Sequence, residues 1–372
     1  MAGEVGLDQP LVRHQLPACN RLAQTRGNVG TGSGRAGHRG FGSAVHNLVI
    51  QIVDNFVGAV KLSLAAAGEK EAGSARKPIS GIFLHMTDAT TLRIAIGDYP
   101  HTLPLKRGEV VSPWLKLDFV EVKPMHTAFK PMVREHAFDA SELALTTYLQ
   151  AKAYNKGLTL LPAAMLSRFQ HGTMLYNSAR GTLTPKDLAG KRIGVRSYSQ
   201  TTGVWIRGIL ENDYGVDFSQ VQWVTFEDGH VAEAKDPPGV IRAGAGADIT
   251  RMLIDGELDA AIYGAAMPDD ARLKSVVADP DGDAKAWYAK YRLVPVNHMV
   301  VVTDELKRTN PAAVDELYRL LAESKRVGGF SPGDIDTAPF GREANRPCLE
   351  LLISYAVQQG LIPHKIRIDE LW

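Results

Sequence analysis

Cysteine is almost missing from this 372-residue chain: the two present, Cys19 and Cys348, stand near opposite ends. Neither falls in a CxxC or Cys/His spacing, which argues against a disulfide framework and against a structural zinc site. A surplus of either charge is missing too, with 42 Lys+Arg against 41 Asp+Glu and a formal net charge of +1. Gripping a polyanion through bulk electrostatics needs a local excess of cations, so neither nucleic acid nor an anionic membrane is expected as a partner. Long apolar runs are scarce: the most apolar stretch, 44–67, is broken by His46, Asn47, Gln51, Asp54, Asn55 and Lys61 and makes a poor membrane span. The glycines around 194–203 (GVRSYSQTTG) lack the GxGxxG spacing, so no nicotinamide cofactor is indicated. His230 and Glu233 are three apart but too few to hold a metal, and we expect neither a metal nor another cofactor.

What is present divides near residue 86. Residues before it include nine basic and five acidic side chains and 13 of the 35 glycines, many in GNVGTGSGRAGHRGFG (27–42). Such a composition buries too little apolar surface to offset its ordering entropy. We expect residues 1–85 to be disordered or a spurious N-terminal extension, with Met86 as the natural start. Residues 1–20 carry Glu4, Asp8, Arg13 and His14 where a secretory signal needs an apolar stretch, so a cytoplasmic location is expected.

From Met86 onward, short β-branched runs at 92–96, 117–122, 158–162, 193–195, 223–226, 260–263 and 298–302 alternate with helical periodicities at 127–136, 141–156, 203–214, 248–256 and 311–325. This alternation predicts an α/β fold with a mainly parallel sheet. Asn310-Pro311 reads as a cap with proline at the first helical position, and Gly157, Gly215 and Gly256 stand where helices should stop. Ligands of such sheets gather at the carboxyl ends of the strands.

TPKDLAGKRIGV (184–195), MLIDGELDAA (252–261) and NHMVVV (297–302) resemble, in order and spacing, segments of type II periplasmic-binding-protein folds. The resemblance implies two α/β lobes joined by two crossovers around a ligand cleft, with 86–187 plus 298–372 as the first lobe and 188–297 as the second. A closer resemblance lies in IGDYPHT (96–102), FVEVKP (119–124), FDASELA (138–144), YLQAK (148–152), RFQH (168–171), QTTGVW (200–205) and VTFED (224–228). Together they are similar to the 4,5-dihydroxyphthalate decarboxylase family over 91–325. That family shares the binding-protein fold and converts 4,5-dihydroxyphthalate to protocatechuate and carbon dioxide without a known organic cofactor. The expected partner is thus a small aromatic carboxylate, with self-association into a homo-oligomer left open. The rival reading is a non-catalytic solute-binding protein that delivers a small carboxylate to a transporter, against which the missing export signal weighs.

A ligand with two adjacent carboxylates needs cations or oriented N–H donors. Arg168 and Arg196, at the ends of apolar runs, can grip a carboxylate bidentately, or can equally serve structural ion pairs. Tyr198, Gln200, Thr201 and Thr202 lie between a strand and a helix whose free N–H groups would make an anion seat, or would simply be capped. Tyr99, Ser141 and Glu227 complete the expected substrate-binding set. Ring decarboxylation needs a proton donor, for which His101 and His298 are preferred over His171 and His230. Glu142, expected at a helix start, is the preferred base, with Asp98 behind it. Trp205 is expected in the core.

Overall fold

The computed structural model describes residues 90–329 and 335–372. The expectations for 1–85 and for Met86 lie outside the described residues. In chain order the strands are β1 (Thr90–Ala95), β2 (Leu115–Phe119), β3 (Ala140–Ala144), β4 (Leu158–Ser167), β5 (Met174–Asn177), β6 (Arg192–Val195), β7 (Gln222–Thr225), β8 (Ile241–Arg242), β9 (Ala260–Ile262), β10 (Leu273–Ser275) and β11 (Val296–Thr303). They form two sheets, ordered β2-β1-β3-β11-β4 and β10-β5-β9-β6-β7-β8. The first is parallel across β2-β1-β3, and β11 runs antiparallel to both β3 and β4. The second is parallel across β9-β6-β7-β8 and antiparallel at β5 and β10. Each sheet is therefore mixed: the strand that follows each crossing, β5 or β11, runs antiparallel to both of its neighbours.

The first crossing falls between Ser167 and Met174, since β5 already pairs within the second sheet. The expected border at 187 lies one strand later: the TPKDLAGK segment leads into β6, the second strand of that sheet in chain order. The return crossing runs from helix Pro280–Tyr291 into β11. The two crossings touch, with the Arg168 N–H donating to the Pro295 carbonyl at 3.1 Å.

A second difference concerns residues 141–156. Ala140–Ala144 is a strand, buried at every position, and the helix starts only at Leu145. Alanine, glutamate and leucine favour helix locally, but the segment lies between β1 and β11 and bonds to both, so tertiary pairing overrides propensity. Glu142 is therefore a mid-strand residue and caps no helix.

Helix Thr201–Tyr214 follows β6 and packs chiefly against helix Arg342–Gln358. Trp205, fully buried as expected, packs edge-on against Tyr355 of helix Arg342–Gln358 and donates its indole N–H to the Val296 carbonyl at 2.9 Å. Close packing explains the small residue at 208, where a Cβ would stand 2.1 Å from the Tyr355 ring. Among the described residues, no helix is long and apolar enough to cross a membrane.

Candidate active site

A cavity of about 680 Å³ opens between the two sheets, lined by residues from the loops that follow β1, β6, β7 and β9 and by both crossings. These are carboxyl ends of parallel strands, where the sheet geometry directs ligands. Three groups of side chains converge there.

The first group is built by register. In the antiparallel pair β3-β11, His298 stands opposite Ala144 and Val300 opposite Glu142. Residues 142 and 144 share a face, so Glu142 and His298 are diagonal neighbours on it. The Glu142 carboxylate is completely buried and accepts three hydrogen bonds: from His298 Nδ1 at 2.6 Å, from the Tyr99 hydroxyl at 2.7 Å and from the Gly97 N–H at 2.9 Å. Burial alone pushes this carboxyl up, but the bonds from His298, Tyr99 and Gly97 outweigh it and hold it below its ordinary value. Burial, and then the negative charge of Glu142, push the Tyr99 phenol far up, so it remains a donor. With Nδ1 committed to the carboxylate, the second ring nitrogen of His298 is the one left for a ligand in the cavity it lines.

The second group sits where the crossings touch. Arg168 donates to Thr202 Oγ1 at 3.0 Å, and Asn297 Nδ2 donates to the same oxygen at 3.1 Å. Gln170 Nε2 donates to Asn297 Oδ1 at 2.7 Å and to the Arg168 carbonyl at 2.9 Å. Burial lowers the Arg168 guanidinium from its ordinary value, its Nε lacks a hydrogen-bond partner, and among the described residues no carboxylate pairs with it. Beside it begins helix Thr201–Tyr214, to which Gln200 supplies no side-chain cap. First-turn N–H groups have no intrahelical acceptor, so a cation and a helix start face the same volume.

The third group comprises His126, Arg196, Glu227 and His230. Arg196 Nη1 is 3.0 Å from the Glu227 carboxylate. His230 Nδ1 and Thr147 Oγ1 lie 2.8 Å apart, and the imidazole packs edge-on against Phe129. Burial, reinforced by Arg196 and by Lys130, His126 and Arg134, pushes His230 down to about 3, and His126 is lowered by burial and then by Arg196.

Eight of the expected site residues line the cavity: Tyr99, Arg168, Arg196, Gln200, Thr201, Thr202, Glu227 and His298. Glu142 stands directly behind His298 and meets a ligand only through it. Three others are elsewhere. His101 is buried, stacked on Tyr99 with 5.2 Å between ring centroids and in a T-shaped contact with Phe340. The turn that places it there is fixed by Thr102 Oγ1, which accepts the Tyr99 N–H at 2.9 Å. Ser141 is fully buried and donates to the Glu142 carbonyl. Tyr198 lies under the Arg207 guanidinium, 4.1 Å from its ring centroid, and packs against Trp223. His171 is buried against Trp287. The sequence reading missed His126, Phe129, Thr147 and Asn297. His126 carries the same signal used for His101, a histidine just after a strand, and Asn297 adjoins His298. Among the described residues, no group of three or more His, Cys, Asp or Glu could hold a metal ion.

Two buried imidazoles make stability pH-dependent. His101 is pushed by burial, and then by Lys325, from 6.5 down to about 4, and His230 falls to about 3. The unfolded chain takes up these protons near 6.5, whereas the folded chain refuses them until pH 3–4. The stability tied to the neutral rings is complete above pH 6.5 and declines as pH falls toward 4. Melting temperature measured across that window should drop steadily, and His101→Gln should flatten the drop; an unchanged slope would contradict the assignment.

The fold and cleft define a two-lobed α/β protein of periplasmic-binding-protein type whose cavity carries a carboxylate-held imidazole and a half-buried arginine. No protein-family model matches the chain. Among solved structures, the alkanesulfonate-binding protein SsuA from Xanthomonas axonopodis pv. citri, bound to MOPS, superposes with a TM-score of 0.51 at 14% identity, covering 77% of this chain and 99% of that one. The 4,5-dihydroxyphthalate decarboxylase of Comamonas testosteroni is 32% identical over 249 residues, 63% of this chain and 75% of that protein. The enzyme of the same name from Pseudomonas putida is 32% identical over 227 residues, 58% of this chain and 85% of that protein. The chain belongs to the 4,5-dihydroxyphthalate decarboxylase family.

Proposed function

We propose that the chain decarboxylates a hydroxylated aromatic dicarboxylate, 4,5-dihydroxyphthalate, to protocatechuate and carbon dioxide. The observation that carries this reading is the imidazole of His298, held by the buried Glu142 in the same cavity as Arg168, which pairs with no carboxylate among the described residues. A binding protein needs an anion seat. A fully buried carboxylate behind an imidazole is the arrangement that fixes the ring and aims its other nitrogen at a ligand.

In this reading Arg168 and the N-terminus of helix Thr201–Tyr214 hold the carboxylate that is retained. The oxygen para to the leaving carboxylate, as phenolate, feeds electrons into the ring. The ring carbon then takes a proton from the free nitrogen of His298 and forms its C–H bond. The C–C bond to the carboxylate breaks, its electron pair returns to the ring and the oxygen, and carbon dioxide departs. One proton is consumed, and His298 regains it from solvent. Glu142 serves as the positioning partner of His298 and does not meet the phenol.

The test is incubation of the full chain with 4,5-dihydroxyphthalate while carbon dioxide and protocatechuate are followed together. Equimolar release of both is expected. Absence of turnover with a thermal shift from the same compound would replace this reading with that of a solute-binding protein.

A further inference from the structure

We propose that the corner of the cavity formed by His126, Arg196 and His230 is a phenolate seat, which takes the catechol end of the ligand with one hydroxyl ionised. The inference rests on the decarboxylase reading and adds the ionisation state and orientation of the substrate. His230 and His298 both pack edge-on against Phe129, at 5.7 and 5.0 Å between ring centroids, so a single benzenoid ligand can touch both imidazoles. Arg168 and the helix start already provide for a carboxylate. A ligand anchored there with its reacting carbon at His298 has its hydroxyls left for the remaining corner.

The charges around that corner are mostly of one sign. Arg196 comes from the end of β6, His126 from the turn before Phe129, and Lys130 and Arg134 from helix Phe129–Glu135. Arg134 also donates to the carbonyls of Gly229 and His230, which fixes the loop. Thr147, from helix Leu145–Ala153, holds the His230 ring and carries no charge. The carboxylate at the corner is Glu227, which pairs with Arg196 from a half-exposed position. A weak acid placed in a partly desolvated cationic corner ionises more easily than in water. An imidazole kept neutral by burial, and then by those same cations, can hydrogen-bond the oxygen without competing for its charge. The chemistry needs this, because an ionised para oxygen drives protonation at the ring carbon.

The probe is 4-nitrocatechol, whose nitro group imitates a carboxylate para to a hydroxyl and whose absorption moves to longer wavelength when that hydroxyl ionises. It is titrated with the wild-type full chain about one pH unit below its ionisation in water. The bound probe is expected to show the ionised spectrum, which at that pH requires a preference of ~100-fold for the ionised over the neutral form. Arg196→Gln and His230→Gln should return the spectrum toward the neutral form, while Arg168→Gln weakens binding and leaves it ionised. A neutral-phenol spectrum in the wild type, no binding at millimolar probe, or an ionised spectrum unchanged in both corner variants would each overturn the proposal. The wild-type spectrum decides even where a variant fails to fold. Decarboxylation assayed on the same preparation separates the readings: turnover with a neutral-phenol spectrum removes only the phenolate seat.

Discussion

Replacing His298 by glutamine should lower kcat by about 10²–10⁴-fold, the range typical for loss of a positioned proton donor, while KM changes by only a few fold. The carboxamide keeps a donor toward Glu142 and fills similar space, so the fold should survive and the loss should fall on the chemical step. Glu142→Gln provides the companion measurement. Because Glu142 acts through His298, its variant should lower kcat by less and shift the acidic limb of the pH–rate profile, a change that a merely structural role would not produce. The buried carboxylate accepts three donors, and a carboxamide cannot accept from all of them, so this variant should also melt earlier. Wild-type kcat in His298→Gln would remove His298 from the reaction.

Arg168→Met should have opposite effects on stability and on function. A guanidinium that is mostly buried, with no paired carboxylate among the described residues, is held at a cost of several kcal/mol in desolvation, offset in part by its bond to Thr202. An apolar side chain of similar length removes that cost, and Thr202 keeps its bond from Asn297. The ligand-free variant should therefore melt a few degrees higher than wild type, at about 1–2 °C per kcal/mol for a chain of this size. Its kcat/KM should fall by about 10²-fold or more, chiefly through KM, and phthalate should no longer raise its melting temperature. Differential scanning calorimetry with and without phthalate reads both effects. A variant that melts lower and still responds to phthalate would show that Arg168 is a structural cation rather than the seat of a carboxylate.

How much of this was legible before folding depends on the range of the interaction that decides each feature. The strands that end in the cavity carry β-branched runs, and a run of four or five residues is a local signal; β6, β7, β9 and β11 were readable for that reason. Strand β3 was not, because ASELA has the composition of a helix and becomes a strand only when β1 and β11 bond to its two edges. The short antiparallel strand β5 was equally silent, which moved the crossing earlier than expected. Glu142 and His298 were each named from sequence, but their contact was not. It follows from an antiparallel register between segments more than 150 residues apart. His101 and His126 show the limit most plainly. Both follow a strand, and only the turn closed by Thr102 decides that the first packs behind Tyr99 while the second reaches the cavity.

The contact between the two crossings has a kinetic consequence. Arg168 is hydrogen-bonded to Pro295, and His298 is in register with Leu166, so both stand beside the two crossings, where a swing of the lobes would have its pivot. Points on a pivot keep their spacing at any angle of swing. Opening to release product would part His230 from Phe129 but would leave the anchor and the imidazole aligned for the next substrate. Each catalytic cycle would then begin from a half-assembled site, and the rate at which the jaws open would govern exchange of ligand rather than alignment of the reacting groups.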